Sequence, residues 1–167
     1  EYPDELRIVG VADPVAFRRD KARQKFGFPA DHVFETAAAR GAHGRIADAA
    51  INGTLDQQHV ATSLPLLEAG YDLLLEKPFA VGADEMWRLV QVARRHDRKV
   101  MICHVLRYAP FYLAIKQRVA DGLIGEVLNV QSVEHVSYHL MAVGYVRGKW
   151  NSKARFHSSM LMAKCCH

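Results

Sequence analysis

The sequence has few cysteines, no long apolar run and no G-x-G, and each lack removes a class of protein or poses a question. Its 167 residues include three cysteines, Cys103, Cys165 and Cys166. An odd number without regular spacing argues against a disulfide framework and for a reducing compartment, so the expected location is cytoplasmic. No apolar stretch approaches the ~20 residues that a membrane helix needs, so no membrane partner is expected. Charge of neither sign is blocked: 22 basic and 18 acidic residues are interspersed, and the net charge of +4 does not imply a nucleic-acid face. Cys165-Cys166-His167 is a poor metal site, because adjacent cysteines cannot easily point at one ion and no second C-x-x-C pair accompanies them; no metal is expected. Repeats and low-complexity segments are also missing.

What remains is an ordinary globular composition, half hydrophobic and about a quarter charged, in which strand-like and helix-like segments alternate. LRIVGVA (6–12) is a short β-branched run ending at Asp13-Pro14, with a helix expected over 14–26 and stopped at Gly27. Val33-Phe34 reads as a short strand and DAAIN (48–52) as another. A helix follows over about 57–69, ending at Gly70. YDLLLE (71–76) is the next strand. From Ala83, Met86, Leu89, Val90 and Ala93 recur at spacings of three and four, giving one apolar helix face. KVMICHV (99–105) is a further strand, and a helix is expected around 110–121. From Glu126 the pattern changes to longer extended runs with partial alternation, VLNVQSVEHVSYH.

Strands separated by helices of this length indicate β-α-β crossovers and a parallel, doubly wound α/β sheet. Such nucleotide-binding sheets usually begin with a strand leading into G-x-G-x-x-G, which does not occur here. LRIVGVADP looks like the second strand of such a unit, so the first strand and its glycine turn are expected to precede Glu1, and the chain reads as an internal fragment of a larger enzyme. Residues 1–108 are assigned to a partial dinucleotide-binding domain. Residues 109–167 are assigned to the start of a second α/β domain with an open, largely antiparallel sheet.

Chemistry gathers at the strand ends. Asp13 is placed to accept the ribose hydroxyls of an adenosine, or else to cap the helix that follows. Its charge would repel a 2′-phosphate and favours NAD, while Arg18 and Arg19 keep NADP open. Thr54, Asp56 and His59 sit where a strand hands over to a helix, the edge at which parallel sheets bind ligands. There Thr54 and His59 are cofactor-contact candidates; a capping Asp56 and a packed or solvent-facing His59 are the simpler alternative. In LLLEKPFA (73–80), three leucines run into Glu76, Lys77 and Pro78. An ammonium at the end of a buried strand must find acceptors.

VADP, TLDQQH, LLEAGYDLLLEKP and HVLRYAPFY, in that order and spacing, resemble the Gfo/Idh/MocA family of glucose–fructose oxidoreductases, inositol dehydrogenases and their relatives. The resemblance covers roughly residues 6–125. It implies an NAD(P)-dependent oxidoreductase that moves hydride between a nicotinamide and a secondary alcohol of a sugar, cyclitol or related polyol. It also implies a homo-oligomer when full length. Without the phosphate-binding turn, the fragment itself is expected to bind dinucleotide poorly and to be inactive. It makes Lys77 the group that stabilises the reacting oxygen and His167 the proton acceptor. Glu76 and Pro78 flank Lys77 beside the cofactor, and the Lys77–Pro78 bond is expected to be cis. Arg107, with Tyr108 and Pro110, resembles a family turn at the pocket edge. His104, Trp150 and Lys164 are substrate-side candidates, although His104 can equally be a core histidine and Trp150 a loop anchor. One departure stands out. Relatives commonly carry Asp four residues before the second-domain histidine, and here that position is Ala163. This keeps open an NAD-dependent glycosidase on the same scaffold, and a non-catalytic nucleotide-sensing relative.

Overall fold

The structure, a computed structural model, describes residues 4–148 and 150–166. The chain divides into two compact units, residues 1–101 and 102–167.

In the first unit, β1 (Val11–Ala12) leads through Asp13-Pro14 into α1 (Ala16–Phe26). The Asp13 carboxylate accepts the Val15 N–H at 2.8 Å and so organises the turn that opens the helix. Gly27, at φ 69°, ends it by returning its N–H to the Arg23 carbonyl. β2 (Val33–Phe34) pairs parallel with β1, Val11 opposite Val33 and Ala12 opposite Phe34. Thr36 then caps α2 (Ala37–Ala42), its hydroxyl accepting the Ala39 N–H at 3.0 Å.

The second ladder is β3 (Ala49–Asn52), β4 (Asp72–Leu75) and β5 (Val100–Ile102), with β4 in the middle and parallel to β3. Between β3 and β4 run a 3-10 turn (Asp56–Gln58) and α3 (His59–Glu68). Between β4 and β5 runs α4 (Ala83–Arg95), with Asp84 and Glu85 in its first turn and Arg94 and Arg95 in its last, each sign at the end where the helix dipole favours it. The expected parallel sheet is therefore present as two ladders, because no hydrogen bonds join β1 to β3 among the described residues.

The core lies where α3 packs on β3 and β4 and α4 packs on α3. Leu73 and Leu75 share one face of β4 and are buried, as are Val60, Leu64 and Leu67 of α3 and Leu89 of α4; Leu67 and Leu75 are fully buried. Each such leucine contributes about 1.5–3 kcal/mol relative to an exposed one. Of the four residues expected on the apolar face of α4, Leu89 and Ala93 are buried, while Met86 stays exposed.

The second unit carries α5 (Pro110–Ala120), with Pro110 in its first turn where the missing N–H costs nothing. Short helical segments follow: α6 (Tyr138–Leu140), running into a π-helical turn (Met141–Val146), then α7 (Lys153–Phe156) and α8 (Met160–Cys165). The antiparallel sheet expected from Glu126 onward does not form among the described residues. Residues 126–135 are exposed and unladdered; the alternating pattern supplies a strand's faces, but among the described residues no segment pairs with it.

Candidate functional site

Parallel strands end together, and their carboxyl ends present the turns that open the following helices. Three such ends in the first unit carry the expected residues. Asp13 closes β1. Its Oδ1 is committed to the Val15 N–H, and its Oδ2 stands 3.5 Å from an Arg18 guanidinium nitrogen, with a quarter of the side chain exposed. One oxygen thus makes the turn, and the other stands beside Arg18. Arg19 donates to the Asp13 carbonyl at 2.7 Å and reaches Glu35 at 3.3 Å, which holds the turn from behind.

At the end of β3, Asn52 is the organiser, a residue that sequence reasoning passed over. It is buried at 4% exposure. Its Oδ1 accepts from the Thr54 hydroxyl at 2.9 Å and the Thr54 N–H at 3.2 Å. Its Nδ2 donates toward the Ser63 hydroxyl at 2.8 Å and the His59 carbonyl at 3.1 Å. A buried amide needs such partners, and here they fix Thr54 on the exposed lip of the turn. The signal was an Asn closing an otherwise apolar strand run.

His59, in the first turn of α3, is 1% exposed. Its Nδ1 lies 2.7 Å from the Pro78 carbonyl oxygen and its Nε2 lies 2.9 Å from the Thr54 carbonyl oxygen. The ring therefore joins the turn after β3 to the turn after β4. In that second turn the Glu76 N–H donates to the Asn52 carbonyl at 2.9 Å, extending the β3–β4 pairing by one bond. The Glu76 carboxylate accepts the Lys77 N–H at 3.1 Å, and the Lys77–Pro78 peptide bond is cis. Pro78 is buried and Lys77 half-buried. Thr54, His59, Glu76, Lys77 and Pro78 are thus brought into one hydrogen-bonded edge, and Asp13 ends a strand of the neighbouring ladder.

In the second unit, His104 follows β5 and its carbonyl accepts the Arg107 N–H at 3.0 Å, making a 3-10 turn. Arg107 is exposed on that turn. The Trp150 ring lies 6.1 Å from the ring of Tyr145 in the π-helical turn. Lys164 is half-buried on α8, and Ala163 beside it is buried at 5% exposure. His167 lies outside the described residues. Among the described residues, no three His, Cys, Asp or Glu side chains gather as a metal site, and no helix is long and apolar enough to cross a membrane.

A parallel α/β unit with an acidic residue closing one strand and a Thr-bearing turn closing another is the architecture of a dinucleotide-binding domain. Residues 1–104 match the model of the oxidoreductase family with the NAD-binding Rossmann fold, and the chain belongs to that family, Gfo/Idh/MocA. It is 33% identical over 90 residues to an inositol 2-dehydrogenase/D-chiro-inositol 3-dehydrogenase of Shouchella clausii, a match covering 53% of this chain and 26% of the relative. It is 22% identical over 107 residues to an alpha-N-acetylgalactosaminidase of Shewanella oneidensis, covering 63% of this chain and 23% of that one. The crystal structure of scyllo-inositol dehydrogenase from Lactobacillus casei with bound NAD(H) and scyllo-inositol superposes with a TM-score of 0.65 at 25% identity, covering 71% of this chain and 34% of that chain. The chain thus spans about a quarter of the length of these curated relatives.

Proposed function

We propose that the protein is an NAD-dependent dehydrogenase that oxidises a secondary alcohol of a cyclitol, sugar or related polyol. The observation that carries this reading is the joined edge of Thr54 and Lys77 at the carboxyl ends of β3 and β4, within a domain of an NAD-binding family. The donor set fits the cofactor. Asp13 has one carboxylate oxygen outside the turn it caps, suited to ribose hydroxyls, and Thr54 and the Glu76-Lys77-Pro78 turn offer polar groups for the nicotinamide half. Bound nicotinamide supplies the hydride acceptor.

The chain's own residues do the rest. Lys77 stabilises negative charge on the substrate oxygen as the alcohol is oxidised, because a fixed cation aimed at developing charge lowers the barrier. Glu76 and Pro78 hold the backbone that presents it. His167 takes the hydroxyl proton, as the family resemblance supports, with His104, Trp150 and Lys164 on the substrate side and Arg107 at the pocket edge. Adding NAD and a panel of inositols and monosaccharides to the protein in its native context should give NADH absorbance with at least one free polyol. No NADH with any of them would overturn the reading.

A second reading, cleavage of a glycoside with NAD regenerated in each cycle, is favoured by one observation. Ala163 is buried and carries no carboxylate where the resemblance expects Asp. The likeness to the Shewanella enzyme points the same way. Turnover of a glycoside without net NADH would select it.

A further inference from the structure

We propose that His59 is held as the doubly protonated imidazolium, a charged clasp that ties the Thr54 turn to the Lys77–Pro78 turn and thereby positions Lys77. Nδ1 faces the Pro78 carbonyl oxygen at 2.7 Å, and Nε2 faces the Thr54 carbonyl oxygen at 2.9 Å. Carbonyl oxygens only accept, and a neutral imidazole has one N–H. In either neutral tautomer, one ring nitrogen would press a lone pair against an oxygen lone pair at hydrogen-bond distance, in a site with 1% exposure. With both nitrogens protonated, each contact becomes a charge-assisted bond, roughly twice as strong as a neutral one.

Two effects oppose this. Burial disfavours an unpaired charge, and the first turn of α3 is the positive end of a helix dipole. The two charge-assisted bonds to the Pro78 and Thr54 carbonyls offset both. Elements packed on α3 are the Asp56–Gln58 turn, β3, β4, α2 and α4. The charged groups on these elements are Asp56 on the turn, Arg40 on α2, Asp72 on β4 and Asp84, Glu85, Arg88, Arg94 and Arg95 on α4, with Glu76 and Lys77 following β4. Asp56 is itself buried at 6% exposure in the turn directly ahead of His59. The backbone of the clasp is secured separately, since the His59 carbonyl accepts from Asn52.

His59 is thus a positioning residue: its nitrogens are used within the protein, and it acts on the reaction through the turn that carries Lys77. The effect on turnover rests on the dehydrogenase reading, whereas the protonation state does not. Histidine-selective ¹⁵N labelling of the full protein at neutral pH tests the latter. Both ring nitrogens of His59, assigned by loss of the signals in His59→Gln, should carry directly bonded, slowly exchanging protons. A single protonated nitrogen would overturn the proposal. Kinetics test the former. His59→Gln keeps one donor group and should lower kcat about tenfold or more with a smaller change in KM for NAD, because misplacement of a reacting group acts on the chemical step. Unchanged kcat would remove the positioning role, and if the variant fails to fold, the labelled wild-type protein, its His59 signals assigned instead through correlations to neighbouring backbone atoms, still decides the proton count.

Discussion

The Arg40 guanidinium lies over the Tyr71 ring at 4.6 Å, and over the Phe34 ring at 5.1 Å, buried between α2, β2 and the entry to β4. Tyr71 completes the joint: its hydroxyl accepts the Ile46 N–H at 2.6 Å and donates to the Gly44 carbonyl at 3.0 Å, while Arg40 donates to the same carbonyl at 2.8 Å. Burial pushes the Arg40 pKa down, and its Nη2 has no hydrogen-bond partner among the described residues. The site holds a charge at a desolvation cost that stacking on two rings only partly offsets. Arg40→Ala should therefore lose about 2–4 kcal/mol in urea unfolding, because it empties a packed position. Arg40→Met, which keeps the volume and removes the orphaned N–H, should stay within about 1 kcal/mol of wild type. Equal losses for the two variants would show that charge, not volume, holds the joint.

Gly41 makes a second demand at the same helix. A Cβ there would stand 2.5 Å from the Pro65 carbonyl oxygen and 3.0 Å from its carbon, both backbone atoms of α3. Alanine in a helix is worth about 1 kcal/mol over glycine, whereas forcing two packed backbones apart costs about 1–3 kcal/mol. The steric term wins. Gly41→Ala should lower the thermal midpoint, and a raised midpoint would mean that α2 and α3 separate freely.

These two sites show where sequence reading stops. Leu73-Leu74-Leu75 bounded by Gly70 and Pro78 is legible as a strand because apolar run and turn residues lie within a few positions of one another. The same holds for Asp13-Pro14 at the head of α1 and for Pro110 at the head of α5. The partners of Arg40, Asn52 and His59 are set by the packing of α2 and α3 on the strands, so their roles depend on contacts that no local window contains. Asp13 could be read as cap or ligand residue, and the fold shows one oxygen on the Val15 N–H and the other beside Arg18. The run from Glu126 was readable as extended, but pairing requires a neighbour, and periodicity says nothing about whether one is there.

Asp13 sets the expected cofactor choice. Its Oδ2 is 3.5 Å from Arg18, so the carboxylate restrains that guanidinium, and in the proposed dehydrogenase it also accepts from ribose. Asp13→Ala removes charge-assisted bonds worth about 1.5–3 kcal/mol, so kcat/KM with NAD should fall roughly 10- to 100-fold. The same change frees Arg18 to meet a 2′-phosphate, so the NADP value should rise. Steady-state kinetics with both cofactors would check this. A parallel fall for NAD and NADP would mean that Asp13 serves the turn alone.

Lys77 is the sharpest test of the chemistry. Its backbone N–H is held by the Glu76 carboxylate and its following carbonyl-bearing residue, Pro78, by His59, so truncating the side chain leaves the turn in place. Lys77→Met keeps the aliphatic stem and removes only the ammonium. If that charge stabilises the oxygen as the alcohol is oxidised, kcat should fall by about 10²- to 10³-fold, while KM for NAD changes a few-fold at most, because the interaction strengthens in the transition state and is weak in the ground state. Lys77→Arg should not restore the rate: a planar fork cannot replace a compact point charge in a site shaped by the Pro78 backbone. A large rise in KM with kcat preserved would instead assign Lys77 to binding, and the oxygen would need another partner.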